Sequence, residues 1–225
     1  MVVKEIIYKQ LLEDNSSLSE PFLGEYWPSS IWDCMRRQYY TRNYPIRPNV
    51  DQLRYKTLGS LIHEFIAKLL SKNETFKVIS EVPVRLPHPT NNEIVIVGRA
   101  DDILVLEAGK LRYVVEVKTV DDLRTQLSKG RLPRKNHMAQ LNMYLRAFPN
   151  STGILLYIDR SNFDMEEFQI SFDPQLYNES IKRAETLHEF LRAKKLPPPE
   201  AMHNEEMKWM CKNCEFRNKC EKDEP

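Results

Sequence analysis

The hydrophobic pattern of this chain changes from a helical period to a strand-like period and back, and that order limits the folds it can adopt. Apolar residues recur at helical spacing in LRYKTLGSLIHEFIAKLLS, residues 53–71. The predicted helices cover 29–43, 51–72, 134–148 and 174–194, and the last one stops before the prolines of LPPPE. The predicted strands cover 76–86, 93–98, 102–107, 111–118, 153–158 and 166–171. Helices before, between and after a group of strands predict the α/β class, with a mixed sheet flanked by helices.

Length and composition are typical of one large soluble domain. The chain has 225 residues and a net charge of +1, and it contains no apolar stretch of the length that a membrane span needs. Its first residues lack the long apolar core of a signal peptide, so we expect a cytoplasmic protein without a membrane partner. We expect a single domain over 1–225, with a core from about 50 to 195. Because the net charge is near zero, nucleic-acid binding would need a local patch such as the basic run at 124–140, which could equally be a solvated loop.

The predicted strand VVEVKT, residues 114–119, carries an acid and a base on one face. Side chains of a strand alternate between faces, so Glu116 and Lys118 point one way while Val115 and Val117 point the other. The simplest explanation is a solvent-exposed face with an ion pair. The alternative is a reaction site on one face of the strand, with the hydrophobic core on the other.

A second acid is predicted to lie beside Glu116. Asp101 precedes a strand that the turn EAGK, residues 107–110, should fold back into a hairpin. Asp101 and Glu116 would then meet at one edge of the sheet, where Gly98 would let the backbone bend or approach closely. Two neighbouring carboxylates favour a bound Mg²⁺ or Mn²⁺, although Asp101 alone could simply cap a turn.

Two predicted helices carry polar residues among apolar ones. His63 lies in the first of them, and Gln140 and Tyr144 are four residues apart, on one face of the second. Taken singly, His63 could be a hydrogen-bonded core residue, and Gln140 and Tyr144 could be boundary residues of an amphipathic helix.

Four short motifs nevertheless follow one another in a fixed order. They are Gly59-x-x-x-His63, Gly98-x-x-Asp101, Glu116-x-Lys118 and Gln140-x-x-x-Tyr144. Over roughly residues 55–158 this set resembles the RecB-like branch of the PD-(D/E)xK, or restriction-endonuclease-like, nucleases. The resemblance implies metal-dependent phosphodiester cleavage by a catalytic set of Lys118, Glu116, Asp101, Gln140 and Tyr144, in which Lys118 holds the attacking water and Gln140 and Tyr144 contact the DNA phosphate. It also implies that the metal ligands are His63, Asp101, Glu116 and the carbonyl of Val117.

The four cysteines form a further pattern. Cys34 stands alone, whereas Cys211, Cys214 and Cys220 form C-x-x-C-x-x-x-x-x-C. In an extracellular protein they would predict two disulfides, but in a cytoplasmic one they favour a metal site. Their spacing alone leaves zinc and an iron–sulfur cluster equally open.

The cysteine pattern resembles that of iron–sulfur nucleases with a RecB-like core. These include the AddB helicase-nuclease subunits and the CRISPR-associated RecB-like exonucleases, the fourth Cas family. The segment WPSSIWDCMRRQYY is similar to that of the second family, although Met35 stands where proline is frequent, and AddB subunits are many times longer. The resemblance implies a [4Fe–4S] cluster on Cys34, Cys211, Cys214 and Cys220, in a small lobe built from about 22–49 and 200–221.

The same resemblance implies an exonuclease that acts on single-stranded DNA from 5′ ends and processes fragments for CRISPR spacer acquisition. Its partners would be single-stranded DNA and the CRISPR integrase complex, and it could form a homo-oligomer. Alternatives are a RecB-like nuclease of DNA repair or of a mobile element, and a DNA-binding module with a degenerate nuclease site. Tyr39, Tyr40 and Tyr44 alternate with arginines in the cysteine segment, and they would either stack on DNA bases or pack a small core of the lobe.

Overall fold

Helices flank a six-stranded mixed sheet in the computed structural model, which describes residues 2–15, 22–44, 46–106 and 112–223. The helices are α1 (Val2–Asp14), α2 (Met35–Asn43), α3 (Val50–Leu70), α4 (Leu123–Ser128), α5 (Lys135–Ala147), α6 (Pro174–Arg192), α7 (Glu200–His203), α8 (Trp209–Lys212) and α9 (Arg217–Lys222). The strands are β1 (Glu25–Tyr26), β2 (Phe76–Pro87), β3 (Val95–Leu106), β4 (Arg112–Val120), β5 (Thr152–Asp159) and β6 (Met165–Ile170). The predicted fold class is therefore confirmed.

The sheet order is β1-β3-β4-β5-β6, and β2 also pairs with β3. Strands β3 and β4 are antiparallel, with Asp102 opposite Val115, as the predicted hairpin requires. The EAGK turn itself lies outside the described residues. Strands β4 and β5 are parallel, so the chain between them must cross over, and it does so through α4 and α5.

Each face of the sheet packs against its own helix. Val114 and Val120 of β4 lie in one core cluster with Leu141 and Tyr144 of α5. The alternate residues Val115 and Val117 lie in a second cluster with Ile66 of α3. Since Glu116 and Lys118 have the parity of Val114 and Val120, they lie on the α5 face.

Several element boundaries differ from the sequence prediction. The helix predicted over 29–43 begins only at Met35, because residues 28–33 form turns in which the carbonyl of Trp27 accepts hydrogen bonds from Ser30 and Ile31. The separate strands predicted at 93–98 and 102–107 are a single strand, β3, which β2 pairs along its length. The sequence prediction missed β1 and the helices α1, α4, α7, α8 and α9.

The chain divides into two compact units, each built from separate segments. The first comprises Met1–Gly24, Asp33–Leu58 and Glu185–Pro225, and the second comprises Glu25–Trp32 and Gly59–Ala184. The second unit contains the sheet. No helix in the described parts of the chain is long and apolar enough to cross a membrane.

The first unit has a small aromatic core of its own. Tyr39 and Tyr40 of α2 are buried together with Phe216, which comes from the far end of the chain. Arg36 is also buried, and its Nε donates to the carbonyl of Pro197 at 2.7 Å. Of the two alternatives for Tyr39 and Tyr40, packing of a small core is therefore the one observed, because both rings are buried with Phe216. Tyr44 is half exposed, with Lys219 Nζ 4.5 Å from its ring centroid.

Candidate active site

A cleft of about 680 Å³ in the second unit collects residues from distant parts of the sequence. Its lining includes four predicted site residues on three elements, namely Asp101 of β3, Gln140 and Tyr144 of α5, and His63 of α3. Glu116 and Lys118 lie on β4 and reach the same group through hydrogen bonds with Gln140. The structure thus brings together the side chains of all four motifs.

Glu116 is the most deeply buried acid of this group, with 1% of its side chain exposed. Its Oε1 atom accepts a hydrogen bond from Lys118 Nζ at 2.7 Å and another from Gln140 Nε2 at 2.5 Å. Lys118 Nζ also donates to Gln140 Oε1 at 3.0 Å, so the three side chains form a closed triangle. The other carboxylate oxygen, Oε2, is buried, and no described residue gives it a hydrogen-bond partner.

Asp101 lies where β3 separates from β4. The pairing of the two strands ends at Asp102 and Val115. One residue further, Asp101 Oδ2 accepts a hydrogen bond from the backbone N–H of Val117 at 2.8 Å, and His63 Nδ1 is 3.4 Å from the same oxygen. The side chain of Asp101 thereby holds the backbone of Val117, whose carbonyl the resemblance names as a metal ligand.

Burial and neighbouring charges shift the pKa values in this group. Burial raises the pKa of Glu116 to about 7, against the opposing charge of Lys118. Burial lowers the pKa of His63, but its hydrogen bond to Asp101 and the nearby carboxylate charges outweigh burial, so its pKa is raised overall. Burial, followed by the charge of Glu116, raises the pKa of Tyr144. Burial is thus the largest cause of the raised pKa values of Glu116 and Tyr144, and the pairing with Asp101 is the cause of the raised pKa of His63.

Gln140 and Tyr144 are both buried in the second unit. They are 6% and 2% exposed, and Gln140 Nε2 also reaches Tyr144 Oη at 3.5 Å. Gln140 contacts both Glu116 and Lys118 and so orients the carboxylate, whereas Tyr144 hydrogen-bonds the backbone of Arg99. Their predicted contact with a DNA phosphate stays a prediction.

Sequence reasoning did not assign several residues of the cleft, among them Asp102, Trp27 and Arg99. Asp102 is buried and accepts a hydrogen bond from Ser80 Oγ at 2.5 Å, and it was overlooked because Asp101 supplied the motif. Trp27 and Arg99 also line the cleft. No periodic pattern marks Trp27, because it directly follows β1, a strand of only two residues.

The donor set fits a divalent metal ion. Carboxylate oxygens are the ligands that Mg²⁺ and Mn²⁺ prefer, and the unpartnered Glu116 Oε2 is a buried acceptor that a cation would satisfy. Within the described ranges, no three or more His, Cys, Asp or Glu side chains converge closely enough to hold a metal as they stand. In the present arrangement Lys118 and His63 neutralise the two carboxylates.

The four cysteines share a cavity in the first unit. Cys34, Cys211, Cys214 and Cys220 all line a volume of about 300 Å³, and all four are free thiols. Burial raises the pKa of Cys211, and the nearby Cys34 and Cys220 raise it further, which places the three sulfurs within electrostatic reach of one another. Four thiols around one cavity fit the donor chemistry of zinc and of an iron–sulfur cluster.

Comparisons with known proteins support the RecB-like nuclease family that the four motifs resemble. No family model matches the chain. It is 29% identical over 161 residues to the CRISPR-associated exonuclease Cas4 of Saccharolobus solfataricus, which covers 70% of this chain and 74% of that protein.

Solved structures establish the fold. The crystal structure of SSO0001 has a TM-score of 0.69 at 24% identity, covering 98% of this chain and 96% of that one. The alkaline exonuclease LHK-Exo of Laribacter hongkongensis has a TM-score of 0.53 at 13% identity, covering 83% of this chain and 93% of that one. The fold is that of the PD-(D/E)xK exonucleases, and the ordered motif residues together with these comparisons support a Cas4/RecB-like nuclease.

Proposed function

We propose that this chain is a divalent-metal-dependent DNA exonuclease that cuts single-stranded DNA from 5′ ends. The observation that carries the proposal is the triangle of Glu116, Lys118 and Gln140, which leaves one buried carboxylate oxygen without a partner beside Asp101. A decayed nuclease site would have lost one of these side chains, so the intact set argues against a DNA-binding module.

The residues that would hold the metal are Asp101, Glu116 and His63, with the carbonyl of Val117. When bound, such an ion polarises the phosphate and lowers the pKa of a bound water. The chain prepares this site with two fixed contacts. Lys118 and Gln140 occupy Oε1 of Glu116, which leaves Oε2 free, and the N–H of Val117 orients the carboxylate of Asp101.

Lys118 supplies the positive charge next to the reacting group. Its Nζ is only partly exposed and is held by Glu116 and Gln140. An ammonium in this position can donate a hydrogen bond to the attacking water and stabilise the charge that develops on the phosphate. Gln140 fixes both partners at once, because its amide donates to Glu116 and accepts from Lys118.

We also propose that Cys34, Cys211, Cys214 and Cys220 hold a [4Fe–4S] cluster. The shared cavity of about 300 Å³ is far larger than one metal ion needs, since even a water molecule occupies only about 10–15 Å³ by a comparable measure. The cavity has room for a cluster, and the resemblance of the cysteine spacing to that of iron–sulfur nucleases favours a cluster over a single zinc ion. The corresponding lobe would comprise about 22–49 and 200–221, and the nuclease core about 50–195, within a single domain.

The relative's name supports one biological setting over the others. The Saccharolobus solfataricus protein is called a CRISPR-associated exonuclease, which favours processing of DNA fragments for spacer acquisition over a role in repair or on a mobile element. The partners would then be single-stranded DNA, the CRISPR integrase complex and further copies of this chain in a homo-oligomer.

The direct test is digestion of single strands labelled at the 5′ or the 3′ end, with Mg²⁺, Mn²⁺ or a chelator. We expect metal-dependent release of short products from the 5′ end and no cutting of circular single strands. Lys118→Ala should lower the rate by roughly 10²–10⁴-fold, the usual contribution of a positioned acid–base group. Lys68→Ala, which removes an exposed lysine of α3, serves as the matched control. Cleavage by Lys118→Ala at the wild-type rate would contradict the site assignment.

A further inference from the structure

Trp27 stands on the wall of the active-site cleft with part of its ring free. Its side chain lines the same 680 Å³ cleft as Asp101 and Gln140 and is 36% exposed. Among the described residues, no aromatic ring or cation is recorded against it. Trp32, five residues later, is different: its Nε1 donates to Ser180 Oγ at 2.7 Å, and Lys135 Nζ is 4.2 Å from its ring centroid. Trp32 thus contributes to packing within the fold, whereas the exposed part of Trp27 can contact a ligand.

The backbone of Trp27 is firmly held. The preceding Tyr26 is fully buried and pairs with Ile96 of β3. The carbonyl of Trp27 accepts hydrogen bonds from the N–H groups of Ser30 at 3.0 Å and Ile31 at 3.1 Å. Pro28 packs so closely over Gly98 that a Cβ there would lie 3.0 Å from the proline ring. Because the backbone is already fixed, placing the indole on a ligand would order only its two side-chain torsions, at little cost in conformational entropy.

The surroundings of Trp27 match one class of ligand. The cleft wall also carries Arg99, an exposed side chain whose ion pair is with Glu81. Exposed ion pairs are weak, so a phosphate can replace Glu81 as the partner of Arg99. A flat apolar ring, a nearby guanidinium and a carboxylate site in one cleft are complementary to a nucleotide with its base unpaired.

We propose that Trp27 stacks on the base of the nucleotide next to the bond that is cut. This inference rests on the proposed function and adds the element of that site which selects single strands. A base within a duplex already has both faces stacked on its neighbours, whereas an unpaired base near a strand end can place one face on the indole.

The test compares intact oligonucleotides with oligonucleotides that carry one abasic position at each of the first few nucleotides. Binding is measured with a chelator present, so that nothing is cut, and KM and kcat are measured in Mg²⁺. For the wild-type protein, the abasic site at one position should weaken binding by roughly 5- to 150-fold, the range that corresponds to one lost stack. Trp27→Ala should bind the intact strand as weakly as the wild-type protein binds the abasic strand. The abasic site should then change the affinity of Trp27→Ala less than twofold. Trp27→Phe should recover most of the affinity.

Phe172→Ala is the matched control, since Phe172 is 37% exposed and lies in the same unit but does not line the cleft. It should respond to abasic strands as the wild type does. Equal sensitivity of wild type and Trp27→Ala to the abasic site, or unchanged binding by Trp27→Ala, would overturn the assignment. A wild-type protein that binds strands but never cuts them would instead contradict the proposed nuclease, while the binding comparison would still decide the role of Trp27.

Discussion

Glu116 shows how a single residue can be destabilising for the fold and useful for the site. Its carboxylate is almost fully buried, and only one of its two oxygens is hydrogen-bonded. A buried ion with incomplete partners costs free energy unless it is neutralised, and the raised pKa of Glu116 expresses that cost. A bound divalent cation would offset this free-energy cost, so the folded state favours metal binding at Glu116.

This preference predicts an unusual dependence of stability on pH. Because the pKa of Glu116 is about 7 in the folded protein and about 4.5 when the chain is unfolded, the folded protein keeps a proton in this range that the unfolded chain has released. With a chelator present, the free energy of unfolding should therefore be highest near pH 4.5 and should fall as the pH rises to about 7. The upper bound on this fall is about 1.4 kcal/mol per unit of difference between the folded and unfolded pKa values of Glu116. Denaturant unfolding curves across this range measure the effect.

Glu116→Gln isolates the contribution of this one carboxyl. Its amide oxygen can still accept from Lys118 and Gln140, but it does not titrate, so the variant should lose part of the fall in stability between pH 4.5 and 7. Added Mn²⁺ should stabilise the wild type more strongly as the pH rises, because the metal binds the ionised carboxylate. Identical pH profiles for the two proteins would show that Glu116 titrates normally.

At the scale of elements, the site depends on where β3 meets two neighbours. Strand β1 pairs with the start of β3, and β4 pairs with its end. Between these two pairings lie Gly98 and Asp101, next to α5. A Cβ on Gly98 would lie 3.0 Å from Pro28 on one side and 3.0 Å from Tyr144 Oη on the other. The close approach of three elements at this glycine sets the position of the cleft.

Gly98→Ala should consequently disturb both stability and activity. The added methyl group must displace either the proline ring or the Tyr144 hydroxyl, and overpacking of this kind typically costs about 1–3 kcal/mol. Because Tyr144 and Gln140 lie on the same face of α5, we expect a lower cleavage rate in addition to a lower unfolding midpoint. Thermal unfolding and the end-labelled strand assay measure the two effects.

Gly59→Ala provides the opposite case from the same set of motifs. Gly59 lies inside α3, and a Cβ there would meet only Thr119 Oγ1, at 3.9 Å. Replacing a helical glycine by alanine should stabilise the protein by about 0.5–1 kcal/mol. If Gly98→Ala is as well tolerated as Gly59→Ala, the close packing over β3 is not what positions the site.

The sequence predicted the elements with strong periodic patterns and the residues that those patterns orient. Alternation in β4 placed Glu116 and Lys118 on one face, and the four-residue spacing in α5 placed Gln140 beside Tyr144. The two-residue strand β1 has no such pattern, so nothing in the sequence placed Trp27 in the cleft. Tyr39 and Tyr40 could not be assigned either, since aromatic rings alternate with basic residues both on DNA-binding surfaces and in small cores. Their burial depends on Phe216, far away along the chain.

At the scale of the whole molecule, the chain forms two units from interleaved segments, and the cysteines are confined to one of them. Cys34 comes from an early segment of that unit, and Cys211, Cys214 and Cys220 come from its last segment. A metal group that joins them would cross-link positions far apart in sequence, which in the chain-entropy model stabilises on the order of 5 kcal/mol.

The whole-molecule prediction concerns Cys34. Protein purified without oxygen should be brown and contain about four irons per chain. Cys34→Ser should lose iron and stability nearly as completely as Cys214→Ser, because a site that lacks one of four ligands no longer joins the two segments. Iron analysis and thermal unfolding measure both effects, and Asn213→Ala, an exposed neighbour, is the control.

Two results would change this assignment in different ways. Colourless protein with one zinc per chain would replace the cluster by a zinc site and leave the nuclease proposal intact. Normal iron content in Cys34→Ser would remove Cys34 from the ligand set.

The interleaving of the two units also fixes an order of events during synthesis. The segments of the sheet unit, Glu25–Trp32 and Gly59–Ala184, leave the ribosome before Glu185–Pro225. The sheet can therefore fold while Cys34 is still a lone thiol, and its three partners emerge only afterwards. Under the proposed cluster, iron delivery becomes a late maturation step, and cells short of iron would accumulate chains with a finished sheet and an unfinished cysteine unit.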